Sequence, residues 1–231
     1  MQFIGVEVFQ GLLGMTWTDT LEKNGFVIIE QFLPANEARQ LRSEIIQRQH
    51  IKKWGLLSGP SQPFSRIKNN ISTQVIDNTK HAQAIKALKR NRFSFSFYRS
   101  SNKHQQQHKQ SALHQSLGNK VVKLFKDKEL IKGELQDTFF ASFKKGQFIS
   151  YHTDGGAGKY AFIYQLSTGW QERFGGQLEL YPKKIKFYKR VISPKFNTLT
   201  VLKLSHPMPH SVRVLNNPVY KYRITISGWV E

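Results

Sequence analysis

The sequence predicts an α+β fold with a mainly β core: a double-stranded β-helix, or jelly roll, buttressed by N-terminal helices. Three observations carry this. Hydrophobic periodicity is helical before about residue 136 and two-residue after it; eight short candidate strands crowd into the last part of the chain; and no repeat or Pro/Gly/Ser-rich linker separates the two regions. One domain over residues 1–231 is the economical reading. Residues 1–136 then supply mostly helical support and a substrate-loop region, and residues 137–231 the jelly-roll core.

Taken in order, Pro34-Ala35-Asn36 opens a helix with Asn36 as its cap, because Ala38, Leu41, Ile45 and Ile46 recur at helical spacing. A second helical run carries Ala84, Ile85 and Leu88. A third, over 111–129, carries Leu113, Leu117, Val121, Val122, Leu124 and Phe125. Between these two, Phe93, Phe95 and Phe97 alternate with Ser94, Ser96 and Tyr98, the pattern of a half-buried strand. The polar run 102–110 reads as an exposed, mobile loop. Candidate strands follow at 138–143, 147–152, 160–166, 176–181, 184–191, 198–204, 210–215 and 221–230, separated by Gly, Pro, Asn and Lys turns.

Composition narrows the function classes. The 231 residues are 39% hydrophobic and 13% aromatic, enough to fill a core. No run approaches the roughly 20 apolar residues of a membrane span, and Glu7 interrupts the apolar start, so the expectation is a soluble, cytoplasmic protein without an export signal. With no cysteine, disulfides, thiolate metal sites and cysteine nucleophiles are excluded, and any metal falls to His, Asp or Glu. A net charge of +20 favours polyanionic partners: nucleic acid, ribonucleoprotein or an acidic protein.

His152-Thr153-Asp154 is the first chemical signal, since positions i and i+2 of a strand share a face and can present an imidazole and a carboxylate to one metal. Chance alone supplies about 0.2 such spacings in this composition, so context decides. His210 opens a later strand that a double sheet can bring opposite. Two His and one carboxylate make the facial triad of a non-haem Fe(II) oxygenase, with three coordination positions left open. His206 competes with His210, but Pro207 and Pro209 put His206 in a loop, whereas Val212 and Val214 continue the face of His210. In the last strand Arg223, Thr225, Ser227 and Trp229 share one face, and Ile224, Ile226 and Val230 the other. An arginine-led polar face on a core strand calls for an anion, held by the guanidinium fork with Thr225 adding a hydroxyl.

These residues carry a resemblance to the Fe(II)/2-oxoglutarate-dependent oxygenases, in the prolyl 4-hydroxylase-like branch. The matching blocks run in order through 145–154, 162–167, 175–181, 209–212 and 223–229. The resemblance implies Fe(II) on His152, Asp154 and His210, and 2-oxoglutarate held by Arg223 and Thr225, with Gln165 and Tyr151 assigned to the same site. Phe143 and Gln165 stand where relatives place tyrosines; the Gln165 amide still donates to a carboxylate. The implied reaction consumes O2 and oxoglutarate, releases succinate and CO2, and hydroxylates a C–H bond, with ascorbate as a possible reductant. Asp154 favours hydroxylation over halogenation. The expected substrate is a prolyl residue in a polypeptide, acidic or ribosome-associated, steered by Lys89, Arg90, Arg92, Arg99, Lys103 and Lys109.

Alternatives stay open at this level. A nucleic-acid demethylase of the same superfamily would fit the spacing from His206 to Arg223, but would place a second arginine where Trp229 stands. A small-molecule hydroxylase acting on a free amino acid would share the core, and a catalytically silent basic binding module would share only the charge. His104, His108 and His114 have no acidic partner and read as a solvated cluster. The run Lys183 to Arg190 reads equally as a nucleic-acid surface or a lysine-protected edge strand, and Gly155-Gly156 and Gly175-Gly176 as turns and points of close approach.

Overall fold

The structure, a computed structural model, describes residues 16–50, 54–60, 78–100, 112–128, 130, 135–154, 158–182, 188–205 and 208–231. The three expected helices are α2 (Ala35–His50), α3 (Asn78–Lys89) and α4 (Ala112–Lys126), and a short α1 (Trp17–Asn24) precedes them. In α1 the Thr16 hydroxyl accepts from Asp19 N–H, while the Asp19 carboxylate accepts from Thr16 N–H, a capping box. Gly25 ends the helix at φ 75°, a conformation that a Cβ would strain. Asn36 does not cap α2. The helix starts one residue earlier, with the Pro34 carbonyl accepting from Ala38 N–H at 3.0 Å, because proline's missing N–H costs nothing at a helix start.

Eleven strands are present among the described residues: β1 (Phe26–Glu30), β2 (Trp54–Pro60), β3 (Ser94–Ser100), β4 (Leu135–Phe143), β5 (Phe148–His152), β6 (Tyr160–Gln165), β7 (Leu178–Leu180), β8 (Arg190–Ile192), β9 (Thr198–Lys203), β10 (His210–Val212) and β11 (Arg223–Val230). They pair antiparallel in the order β1-β9-β6-β11-β4-β3-β5-β10-β7-β8, with β2 added to β3. The curled sheet is the expected jelly roll, and its N-terminal contribution is larger than periodicity suggested, since β1, β2 and β3 all join it. The expected strand over 184–191 is present only as β8; residues 183–187 lie outside the described residues, as does the loop expected at 102–110.

Strand β3 is buried on both faces rather than one. Phe95 and Phe97 point into the roll, while Ser94 and Ser96 are fully buried on the other side, where His81 of α3 shares a 2.8 Å hydrogen bond with the Ser96 hydroxyl. The early part of β3 pairs with β5 (Phe95↔Ile149) and its later part with β4 (Arg99↔Ala141). One strand thus ties the two walls of the roll together.

Two apolar cores follow from the alternation. Ile224, Ile226 and Val230 of β11 pack with Leu41 and Ile45 of α2 and Leu117, Val121 and Phe125 of α4, outside the roll. Inside, Phe97, Phe139, Phe143, Leu178 and Val212 form the second. The helices therefore bury the outer face of β11 and leave its inner face to line a cavity.

Candidate active site

Strands β5 and β10 are neighbours, with His210 directly opposite His152. Two residues further on, Val212 faces Ile149 rather than residue 150, so β5 carries one extra residue at a bulge. The bulge turns both Ile149 and His152 toward the interior, where they line one cavity of about 600 Å³, its open mouth included. Asp154 follows just beyond the end of β5.

His152, Asp154 and His210 converge: one ligand atom from each lies within 4.8 Å of the other two, the one such group among the described residues. His152 Nε2 lies 3.4 Å from Asp154 Oδ1, and His210 Nε2 lies 3.7 Å from Asp154 Oδ2, with all three side chains under 10% exposed. Ligands at right angles, about 2.1 Å from one ion, stand about 3.0 Å apart, so little adjustment seats a metal. The tautomers suit this. His152 Nδ1 lies 2.8 Å from the Ser150 carbonyl and His210 Nδ1 3.0 Å from the Met208 carbonyl; a carbonyl only accepts, so each Nδ1 holds a proton and each Nε2, on the Asp154 side, is the atom placed to ligate a metal.

Burial alone would raise the Asp154 carboxyl, but His210 and the hydrogen bonds from His152 and Trp229 outweigh it and hold its pKa at about 2. Burial, reinforced by His152, pushes His210 down to about 4. At neutral pH His210 is therefore uncharged, and the Trp229 N–H remains to hold the carboxylate. An ionised oxygen and neutral imidazole nitrogens are what a divalent ion requires.

Arg223 lines the same cavity, 2% exposed, with its guanidinium 4.9 Å from the Phe143 ring centroid. Its Nε has no acceptor among the described residues, and burial depresses its pKa to about 9. Gly176 makes room for it: at φ 72° a Cβ there would sit 3.1 Å from Arg223 Cδ, so this glycine is a point of close approach, as expected. Beside Arg223, the ladder aligns Thr225, Gln165 and Thr198 across β11, β6 and β9. Both Gln165 amide atoms and the hydroxyls of Thr198 and Thr200 are buried without partners among the described residues. A buried cation sharing a cavity with the Thr225 hydroxyl matches a carboxylate ligand, because a buried group left unpaired otherwise costs about 1 to 3 kcal/mol.

The structure thus brings together His152, Asp154, His210, Arg223 and Thr225 at one cavity. Gln165 adjoins Thr225 but is not among the residues lining the cavity, and Tyr151 turns away, its ring packed edge-on at 5.0 Å against Tyr181. His206, His104 and His108 lie outside the described residues. His114 is a core residue rather than part of a solvated cluster: it is 2% exposed, shares a hydrogen bond with Thr138, and packs on Phe140. Two features escaped the sequence reading. Trp229 donates its indole N–H to Asp154 Oδ2 at 3.3 Å, although its place on the Arg223 face was a signal; Thr198 and Thr200 carried none.

A facial His-Asp-His group and an unpaired buried arginine inside a jelly roll define the class of Fe(II)- and 2-oxoglutarate-dependent dioxygenases, which use O2 as cosubstrate. Residues 138–231 match the model of the 2OG-Fe(II) oxygenase superfamily, and in fold the chain is similar to prolyl hydroxylases. No curated protein matches the chain in sequence. Among solved structures, it is similar to a Pseudomonas putida prolyl-4-hydroxylase, with 19% identity, a TM-score of 0.61, and 92% of this chain and 95% of the other covered. It is similar to a Trichoplax adhaerens prolyl hydroxylase in complex with a hypoxia inducible factor peptide fragment, with 19% identity, a TM-score of 0.63, and coverage of 91% and 85%. A viral collagen prolyl hydroxylase from Paramecium bursaria Chlorella virus-1 aligns at 14% identity and TM-score 0.54, covering 90% and 96%.

Proposed function

We propose that this chain hydroxylates a prolyl residue of a polypeptide. The observation that carries the oxygenase chemistry is the sharing of one cavity by His152, Asp154 and His210 with the unpaired Arg223. His152, Asp154 and His210 hold Fe(II). Arg223 takes the distal carboxylate of oxoglutarate in its guanidinium fork, with Thr225 adding a hydroxyl and Gln165 an amide donor. When bound, iron, oxoglutarate and O2 together supply the oxidising power for C–H hydroxylation, with succinate and CO2 as coproducts.

The protein's share is orientation and exclusion of water. The Ser150 and Met208 carbonyls fix both imidazole rings, and Phe97, Phe139, Phe143, Phe162 and Trp229 give the cavity an apolar wall suited to an unactivated C–H bond. The likeness to prolyl hydroxylases, one with a bound peptide, supports a polypeptide substrate. The net charge of +20 supports an acidic stretch within it, including one on a ribosome-associated protein.

The test is succinate formation from oxoglutarate with Fe(II) and ascorbate, followed by mass spectrometry of proline-containing peptides for the mass of one added oxygen. Hydroxylation of an acidic peptide that weakens as salt rises toward physiological strength is expected. Equal turnover of free proline, insensitive to salt, would move the substrate to the small-molecule class. Absence of succinate in every condition would leave only a binding module.

A further inference from the structure

Asp154 offers two oxygens to a metal site that needs one. Oδ1 is 3.4 Å from His152 Nε2 and Oδ2 is 3.7 Å from His210 Nε2, so either, or both, could face a shared ion. Trp229 breaks this symmetry. Its Nε1 lies 3.3 Å from Oδ2, and an indole N–H can only donate.

The donor is rigidly mounted on strands that carry neither histidine. Trp229 sits on β11 between Asp137 of β4 and Ala161 of β6. Its ring packs at 5.6 Å against Phe139, which in turn lies 3.8 Å beneath the Arg99 guanidinium. Gly158 lets the chain pass close by: a Cβ there would meet Val230 O at 2.8 Å and Trp229 Cβ at 3.3 Å. Asp154, by contrast, lies past the end of β5 and has no ladder to orient its side chain.

We propose that Trp229 is a positioning residue for the metal centre: its N–H occupies Asp154 Oδ2 and leaves Oδ1 as the single ligand oxygen. A carboxylate chelating through both oxygens would take one of the three positions that cosubstrate and O2 require. The indole thereby keeps the carboxylate monodentate and the site open. This rests on the iron-site reading above.

The test replaces Trp229 alone by its 3-benzothienyl isostere, which keeps the shape and loses the N–H, and by 7-azatryptophan, which keeps both. Thermal unfolding checks that each protein is folded. Co(II) is the probe, with affinity from titration and coordination from its visible absorption. The benzothienyl protein is expected to bind Co(II) about tenfold more weakly or worse, with an altered spectrum, while 7-azatryptophan preserves both wild-type values. Wild-type affinity and spectrum in the benzothienyl protein would overturn the proposal while leaving the site intact. Failure of the wild-type chain to bind Co(II), with His210→Ala no different, would instead overturn the iron-site reading and this inference with it.

Discussion

Replacing Arg223 by methionine should stabilise the ligand-free protein while abolishing its response to oxoglutarate. The guanidinium is 2% exposed, its Nε lacks an acceptor, and burial holds its pKa at about 9. Each tenfold loss of proton affinity is worth about 1.4 kcal/mol, so keeping this cation in place costs on the order of 5 kcal/mol as an upper bound. The contact with Phe143 returns about 1 to 2 kcal/mol. Exchanges of buried charge for apolar side chains of similar volume support a net gain of about 1 to 3 kcal/mol. At about 3 °C per kcal/mol for a chain of this length, Tm should rise by roughly 3 to 9 °C.

The sign with pH is definite. A cation whose pKa is lowered on folding destabilises fully below its folded pKa, so the gain is complete at pH 7 and shrinks above about pH 9. The assay is thermal unfolding with Mn(II), with and without oxoglutarate. Wild type should gain about 2.7 kcal/mol at a hundred times Kd, and Arg223→Met should gain nothing. A variant that loses several degrees yet still responds to oxoglutarate would refute the assignment of Arg223 as an unpaired anchor.

Other outcomes follow from the same geometry. Arg223→Lys keeps the charge but loses the bidentate fork, and should raise the oxoglutarate requirement about tenfold or more in turnover assays. His210→Ala and Asp154→Ala should each lose metal-dependent succinate formation while remaining folded by circular dichroism. Gly176→Ala forces a Cβ at φ 72° to within 3.1 Å of Arg223 Cδ, and should cost about 1 to 2 kcal/mol in denaturant unfolding and weaken oxoglutarate binding. For Glu179, burial pushes the carboxyl up, but Lys189, Arg213 and Tyr181 outweigh it and hold it at about 2. That contribution is present above the ordinary carboxylate range and lost as pH falls toward 2. Glu179→Gln should therefore cost about 1 to 2 kcal/mol at pH 7, limited by the partly exposed Lys189 and Arg213, and almost nothing near pH 2 in urea titrations.

Much of the site was legible because local spacing carried it. The strand opened by His210 and the alternation of Arg223, Thr225, Ser227 and Trp229 against Ile224 and Ile226 depend only on which face of a strand a residue takes; the spacing of His152 and Asp154 was legible too, although Asp154 lies just past the end of β5. The helices containing Leu41, Ile45, Val121 and Phe125 were legible for the same reason. What stayed hidden involves residues whose role comes from distant partners. Tyr151 looked like a site residue by adjacency to His152, but strand alternation turns neighbours to opposite faces, and its ring packs on Tyr181. Strand β1 was missed because Phe26 to Glu30 carries no alternation, being packed on both faces.

Sequence by itself therefore determined the donor types, their order along the chain and the faces they share, since strand period and side-chain chemistry are local properties. It also excluded thiolate chemistry outright, having no cysteine. Tertiary structure alone decided that His152 meets His210, 58 positions later in the chain, that Trp229 reaches Asp154, and that Arg223 Nε is left without an acceptor among the described residues. Those facts depend on strand register and on what packs beneath each side chain. A one-residue slip in register would reverse every inward face, and only the closed roll, filled on both sides, fixes it.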